Sequence, residues 1–180
     1  GAALCSPLNY KAIDRNSNPQ DCKGEMMQQF LFASAVGEDA SSLLSDCLNQ
    51  LGPIPQAANL GFLYATDPLA DDLRQILVRL EQDYPRVNWI GTVGLGICTS
   101  GREIYDRPAL ALMIADLPAD SFRILPGLQG DSLALPPDLA AWWRDQENCF
   151  ALVHGDPSNV MTPTFLQRLA HEQTASFING

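Results

Sequence analysis

The residues best suited to chemistry stand in one string, His154-Gly155-Asp156-Pro157-Ser158-Asn159, directly after the apolar run Ala151-Leu152-Val153. A carboxylate in such a loop can accept a proton from a substrate hydroxyl, and an Asn a few residues on can hold Mg²⁺. His154 adds a group that titrates near neutral pH. A second cluster, Gly91-Thr92-Val93-Gly94-Leu95-Gly96, also follows a strand-like run. Glycines there either form a tight turn that needs positive φ or let a small ligand approach the backbone closely. Their order, G-x-x-G-x-G, is not that of a dinucleotide-binding turn, and a strand-like segment follows rather than a helix. Cys98 lies beside this cluster, and a buried inert thiol is its simpler reading. The two histidines, His154 and His171, have no Cys or carboxylate at metal-ligand spacing. No G-x-S-x-G nucleophile elbow occurs. The residues therefore predict no catalytic group, metal or cofactor.

The first string resembles the catalytic loop of aminoglycoside-type phosphotransferases, with two departures. Asn159 follows Asp156 by three residues where the kinase pattern needs five, and no Asp occurs after Asp156 to serve as the second metal ligand. The same turn also occurs elsewhere without such context. Asp-Pro appears at Asp67-Pro68 and at Asp156-Pro157, 89 residues apart, each time after an apolar run. The same offset carries Ile76 onto Phe165, Leu77 onto Leu166, Arg79 onto Arg168, Leu80 onto Leu169 and Gly91 onto Gly180. A unit that repeats its apolar positions and its turn reads as a structural repeat. In this reading Asp67 caps a helix whose first position is Pro68, and Asp156-Pro157 does the same in the second copy.

The elements that position these residues follow from apolar periodicity. Phe30–Val36 reads as a strand. Ala40, Leu43, Leu44, Cys47, Leu48 and Leu51 recur at helical spacing, with Gly52-Pro53 as a stop. Leu60–Thr66 is a buried strand, Leu69–Leu80 a second amphipathic stripe, and Val87–Thr92 a third strand. Ile97 and Arg102–Asp106 flank a turn at Ser100-Gly101; Ala109–Ala115 is a central strand, and Phe122–Leu125 one more. Leu139, Trp142 and Trp143 indicate a short helix. A strand Phe150–His154, a helix opened by Thr162-Pro163, and a strand from Ala175 complete the order. The expectation is an α/β domain: a mixed sheet built from a duplicated βαβ unit, with an antiparallel middle section and helices packed on the sheet. Residues 1–27 lack periodicity and read as a flexible arm, with the functional fold over 28–180 and a sub-boundary near 126–137.

Composition narrows the function classes. The net charge of −10 argues against a nucleic-acid binder, which needs a basic face, and against an anionic membrane surface. Five scattered cysteines without Cys-x-x-Cys fit reduced thiols in a cytoplasmic protein. No apolar run reaches membrane-spanning length.

The stretch Phe30–Leu125 resembles the N-terminal part of FIST domains, the sensory domains named for F-box and intracellular signal-transduction proteins. The resemblance rests on Phe30–Leu51, on Leu60-Gly61-Phe62-Leu63-Tyr64-Ala65-Thr66 with the helix after Asp67-Pro68, and on Trp89-Ile90-Gly91-Thr92 with Gly96. It continues through Gly101-Arg102-Glu103 to Ala109-Leu110-Ala111-Leu112, and Phe150–Gly180 is similar to the family's next strand-helix-strand unit. It implies a non-catalytic module that senses a small ligand, an amino acid among the candidates, and a C-terminal FIST portion or signalling domains as partners beyond this chain. Ligands of α/β sheets sit beyond the carboxyl ends of the strands. That edge is expected to carry Thr66, Asp67, Thr92, Gly94, Gly96, His154, Asp156, Ser158 and Asn159, with helix N-terminal amides for a carboxylate and Asp67 or Asp156 for an ammonium group. A protein-interaction module without a ligand, and an enzyme using Asp156 and His154, are the competing readings.

Overall fold

The computed structural model describes residues 2–5, 30–125, 135–146, 150–155, 159–172 and 177–179. Ten strands and four α-helices follow in the order β1 (Ala2–Cys5), β2 (Phe30–Val36), α1 (Ala40–Leu51), β3 (Leu60–Thr66), α2 (Leu73–Asp83), β4 (Asn88–Gly94), β5 (Gly96–Thr99), β6 (Arg102–Tyr105), β7 (Ala109–Ala115), β8 (Phe122–Leu125), α3 (Pro137–Asp145), β9 (Phe150–Val153), α4 (Thr162–Glu172) and β10 (Phe177–Asn179).

Local chemistry sets the helix ends. Asp39 caps α1, its carboxylate accepting from the Ser42 N–H at 2.9 Å. Gly52 closes the helix at φ +66°, a conformation that suits glycine, and its N–H donates to the Leu48 carbonyl. The start of α2 departs from expectation. Asp67–Leu69 forms a short 3-10 turn, and α2 begins at Leu73 after Asp72, which makes no side-chain capping bond. Asp67 is therefore not the cap of α2.

The elements form two four-stranded sheets and a hairpin. The first sheet has the order β2-β7-β3-β4, the second β8-β1-β9-β10, and β5-β6 is an antiparallel hairpin. In the first sheet, β7 runs antiparallel to β2 and to β3, while β4 is parallel to β3. In the second, β1 runs antiparallel to β8 and to β9, while β10 is parallel to β9. The mixed α/β class is as expected, but one sheet has become two. Ala2–Cys5 belongs to the second sheet, so this part of the expected flexible arm is a strand. β8 also belongs there, which places the change of sheet before the expected boundary at 126–137.

Alternation along β3 shows how the layers stack. Leu63 and Ala65 pack with Leu43, Cys47, Ile76 and Leu80 of α1 and α2. Leu60 and Phe62 face the other way and pack with Phe122 of the second sheet, with Tyr64, Ile124 and Leu152 beside them. Behind the second sheet, Leu125, Ala151 and Val153 pack with Leu139 and Trp143 of α3 and with Phe165 and Leu169 of α4. The layers are helices, sheet, sheet, helices. Each fully buried Leu in these clusters contributes about 1.5–3 kcal/mol of transfer free energy.

The 89-residue repeat survives only in the helices. Ile76 and Leu80 are buried, and so are Phe165 and Leu169 at that offset. In the strands the offset slips: Leu63 packs toward the helices, whereas Leu152 packs between the sheets. One residue of slip moves a strand side chain to the opposite face. The two halves share an order of connections, and a residue-for-residue duplication is not confirmed.

Candidate functional site

Cross-strand register builds a hollow on the inner face of the first sheet. Tyr64 stands opposite Thr92 on β4 and opposite Ala111 on β7, whose other neighbour is Ser34 on β2. The adjacent row holds Thr66 with Gly94, and Val36 with Ala109. Apart from Tyr64 and Val36 these are small side chains, so the face is low there. The row on the other side is tall, with Phe32, Met113, Phe62 and Ile90 in register. The hairpin β5-β6 folds over the low rows, its Ile97 and Ile104 packing on Ala109 and Ala111 with Val36 and Tyr64 beside them.

Between hairpin and sheet remains a groove of about 280 Å³. Tyr64, Thr92, Phe32 and Met113 line its sheet side, and Gly94, Gly96, Ile97 and Cys98 its rim. Neither rim glycine has positive φ, which removes the turn explanation for them. Gly96 is required by close approach: a Cβ there would lie 2.4 Å from the Tyr105 ring and 2.9 Å from the Ile104 carbonyl. At Gly94 a Cβ would meet nothing nearer than the Gly96 carbonyl at 3.4 Å, so the space beside it belongs to the groove.

Tyr64 links the groove to the second half. Its hydroxyl lies 3.0 Å from Nε2 of His154, and the rings meet edge to face at 5.4 Å and 75°. Burial raises the Tyr64 phenol above its ordinary pKa, so it stays neutral and can both donate and accept. Which partner donates depends on the His154 tautomer.

The sequence-derived residues thus divide. Thr92, Gly94 and Gly96 meet at the groove, and His154 reaches it through Tyr64. Thr66 is fully buried and works inward: its hydroxyl donates to the Arg107 carbonyl at 2.7 Å and accepts from the Ala109 N–H at 2.9 Å. Asp67 is exposed and outside the groove lining. Asn159 is exposed and its side chain accepts from the Met161 N–H at 2.9 Å, bracing the entry to α4. Asp156 and Ser158 lie outside the described residues. The groove opens on the face of the sheet, whereas the carboxyl edge was expected. Sequence reading missed Tyr64, Phe32 and Met113. The available signal was alternation, since Leu60, Phe62 and Tyr64 share a face and only Tyr64 carries a polar tip.

Cys98 is exposed, contrary to the buried thiol expected. The buried thiol is Cys47, which burial, and secondarily Asp46, pushes up to about 12, leaving it protonated and inert. A larger groove of about 520 Å³ lies between α1 and α2. Of its four charged residues, Glu38, Asp39, Asp72 and Arg79, two are committed, Asp39 to the α1 cap and Arg79 to Asp83 at 2.6 Å. Among the described residues no group of His, Cys, Asp and Glu is placed to hold a metal ion. Among the same residues no helix is long and apolar enough to cross a membrane.

The family model described as the FIST N domain matches residues 59–178, well over half of the chain. The chain belongs to the FIST family. FIST domains are known as sensory domains of signal transduction. The match runs from β3 through β10 and so contains the groove's Tyr64, Thr92, Gly94, Gly96, Met113 and the His154 partner; β2 and α1 precede it. No curated protein and no solved structure matches the chain.

Proposed function

We propose that this FIST domain is a cytoplasmic sensory module, not an enzyme, and that a small ligand binds in the groove between β5 and the first sheet. The carrying observation is the join of a hollow built from small residues to a Tyr64–His154 contact that crosses to the second half. Phe32, Met113 and Ile97 offer an apolar wall, while the Tyr64 and Thr92 hydroxyls and the glycine backbone offer hydrogen bonds. That chemistry suits an amino acid with an apolar side chain, seated side chain inward. No charged side chain lines the groove among the described residues, so the ammonium and carboxylate would lie toward its mouth. Signalling domains or a C-terminal FIST portion would read the bound state.

A thermal-shift series with leucine, methionine and phenylalanine, each beside its uncharged amide or alcohol analogue, tests this. Ligand at about 100 times its Kd adds about 2.7 kcal/mol, which is several degrees in Tm for a chain of this size. Gly94→Val places a side chain at the groove, its Cβ meeting nothing nearer than the Gly96 carbonyl at 3.4 Å, and is expected to abolish the shift in a chain that still folds. A shift that persists in Gly94→Val moves the ligand elsewhere, and no shift with any probe removes this ligand class.

A further inference from the structure

The second sheet has an unusual dependence on four residues. Its order is β8-β1-β9-β10, so β8 and β9 each pair with β1 and not with each other. Ala2–Cys5 registers against Leu125–Phe122 on one side and against Val153–Phe150 on the other. The strand that ends at Val153 is the one that delivers His154 to Tyr64, and Val153 registers with Ala2. On its other side, among the described residues, β9 has a three-residue pairing with β10. The corresponding place in the first sheet is held by β7, seven residues long and embedded between β6 and β8. β1 is separated from β2 by residues 6–29 in sequence, and among the described residues it pairs with no strand of the first sheet.

We propose that β1 is a removable strand, and that its occupancy of the slot between β8 and β9 sets the Tyr64–His154 contact. Ala2–Cys5 is then a control element for the candidate site. With β1 out, two rows of backbone N–H and C=O groups lose their partners, and short strands so exposed open readily. His154 would lose its fixed position, while the groove walls on β3, β4, β5 and β7 would stay. The sensory reading supplies only the consequence for ligand binding, and the contact itself is tested without any ligand.

The chain holds two histidines, so the imidazole Cε1–H region of its NMR spectrum has two signals, and His171→Gln assigns them. Proline at position 3 is incompatible with a strand bonded on both sides, whereas valine suits it. In the parent chain and in Ala3→Val, adding Tyr64→Phe is expected to shift the His154 signal. In Ala3→Pro that signal is expected already at a solvent-exposed position, unmoved by Tyr64→Phe, with the Trp89 indole signal of the first half retained. An Ala3→Pro chain whose His154 signal and response to Tyr64→Phe match the parent overturns the proposal. Should Ala3→Pro abolish the Trp89 signal as well, hydrogen exchange on the unaltered chain decides. Amides of β1, β8 and β9 are expected to exchange as one unit, at least tenfold faster than those of β3 and β7. Protection of β8 and β9 that outlasts β1 overturns the proposal.

Discussion

The two halves of this molecule have the same order of connections and different strengths. Each has three strands joined through two helices, with an antiparallel strand inserted between the first two. In the first half the paired strands are seven residues long, and the inserted strand is almost wholly buried. In the second half β8, β1 and β9 have four residues each and β10 has three. Every residue of strand adds ladder bonds and cross-strand contacts, so the first half is expected to be the more stable scaffold and the second to open first. The candidate site lies on the first half, and its Tyr64 reaches the second half at His154.

The largest test of the comparison is a pair of core truncations. Trp143 and Leu112 are both fully buried, one behind each sheet. Trp143→Ala is expected to cost about 3–5 kcal/mol and Leu112→Ala about 2–5 kcal/mol. The distinction is in the form of unfolding. Urea titration followed by hydrogen exchange should show Trp143→Ala melting the second half first, as a separate transition, and Leu112→Ala lowering the stability of both. A single shared transition in both variants would make the halves one cooperative unit.

Tyr64→Phe is expected to cost about 0.5–1.5 kcal/mol, the net worth of one hydrogen bond. It should also change the alkaline limb of stability. Burial raises the Tyr64 pKa above the ordinary 10.0, so its neutral form favours the fold. That contribution is complete below pH 10 and is lost as pH rises through the higher folded value. Thermal melts between pH 8 and 11 should show the loss in the parent and a smaller loss in Tyr64→Phe.

Thiol labelling gives a graded readout of the scaffold. Cys98 is exposed and should react with iodoacetamide in the native chain at pH 8, whereas Cys47 should react only on global unfolding. Early labelling of Cys47, detected by peptide mass spectrometry, would show that the first half opens without global unfolding.

The smallest effect belongs to the α1 cap. Hydrogen bonds from Ser42 hold the Asp39 carboxyl below its ordinary value of 3.8. The cap therefore stabilises the fold above that value, and the contribution disappears as pH falls through the lower folded pKa. Asp39→Ala should flatten the acid limb of the stability profile slightly, with neutral-pH unfolding still led by the second half.

Much of the local structure was written in the chain. The runs Phe30–Val36, Leu60–Thr66 and Ala109–Ala115 are strands with the expected ends, because continuous apolar residues between turn signals can satisfy neither solvent nor a helix stripe. The stripe from Leu43 to Leu51 and the stop at Gly52 specified α1 in the same way. The glycine cluster also pointed at the groove, since Gly94 and Gly96 line it. Tertiary structure alone decided the rest. Pairing partners are distant in sequence, so nothing local could show that β1 sits between β8 and β9, or that the chain makes two sheets. The polar residues at the strand ends went different ways for the same reason. Thr66 turned inward to bond the segment before β7, Asp67 stayed in solvent, and Tyr64 met His154 across the interface between sheets. Apolar pattern determines which face of an element is buried, while only packing decides which polar tip finds a partner there.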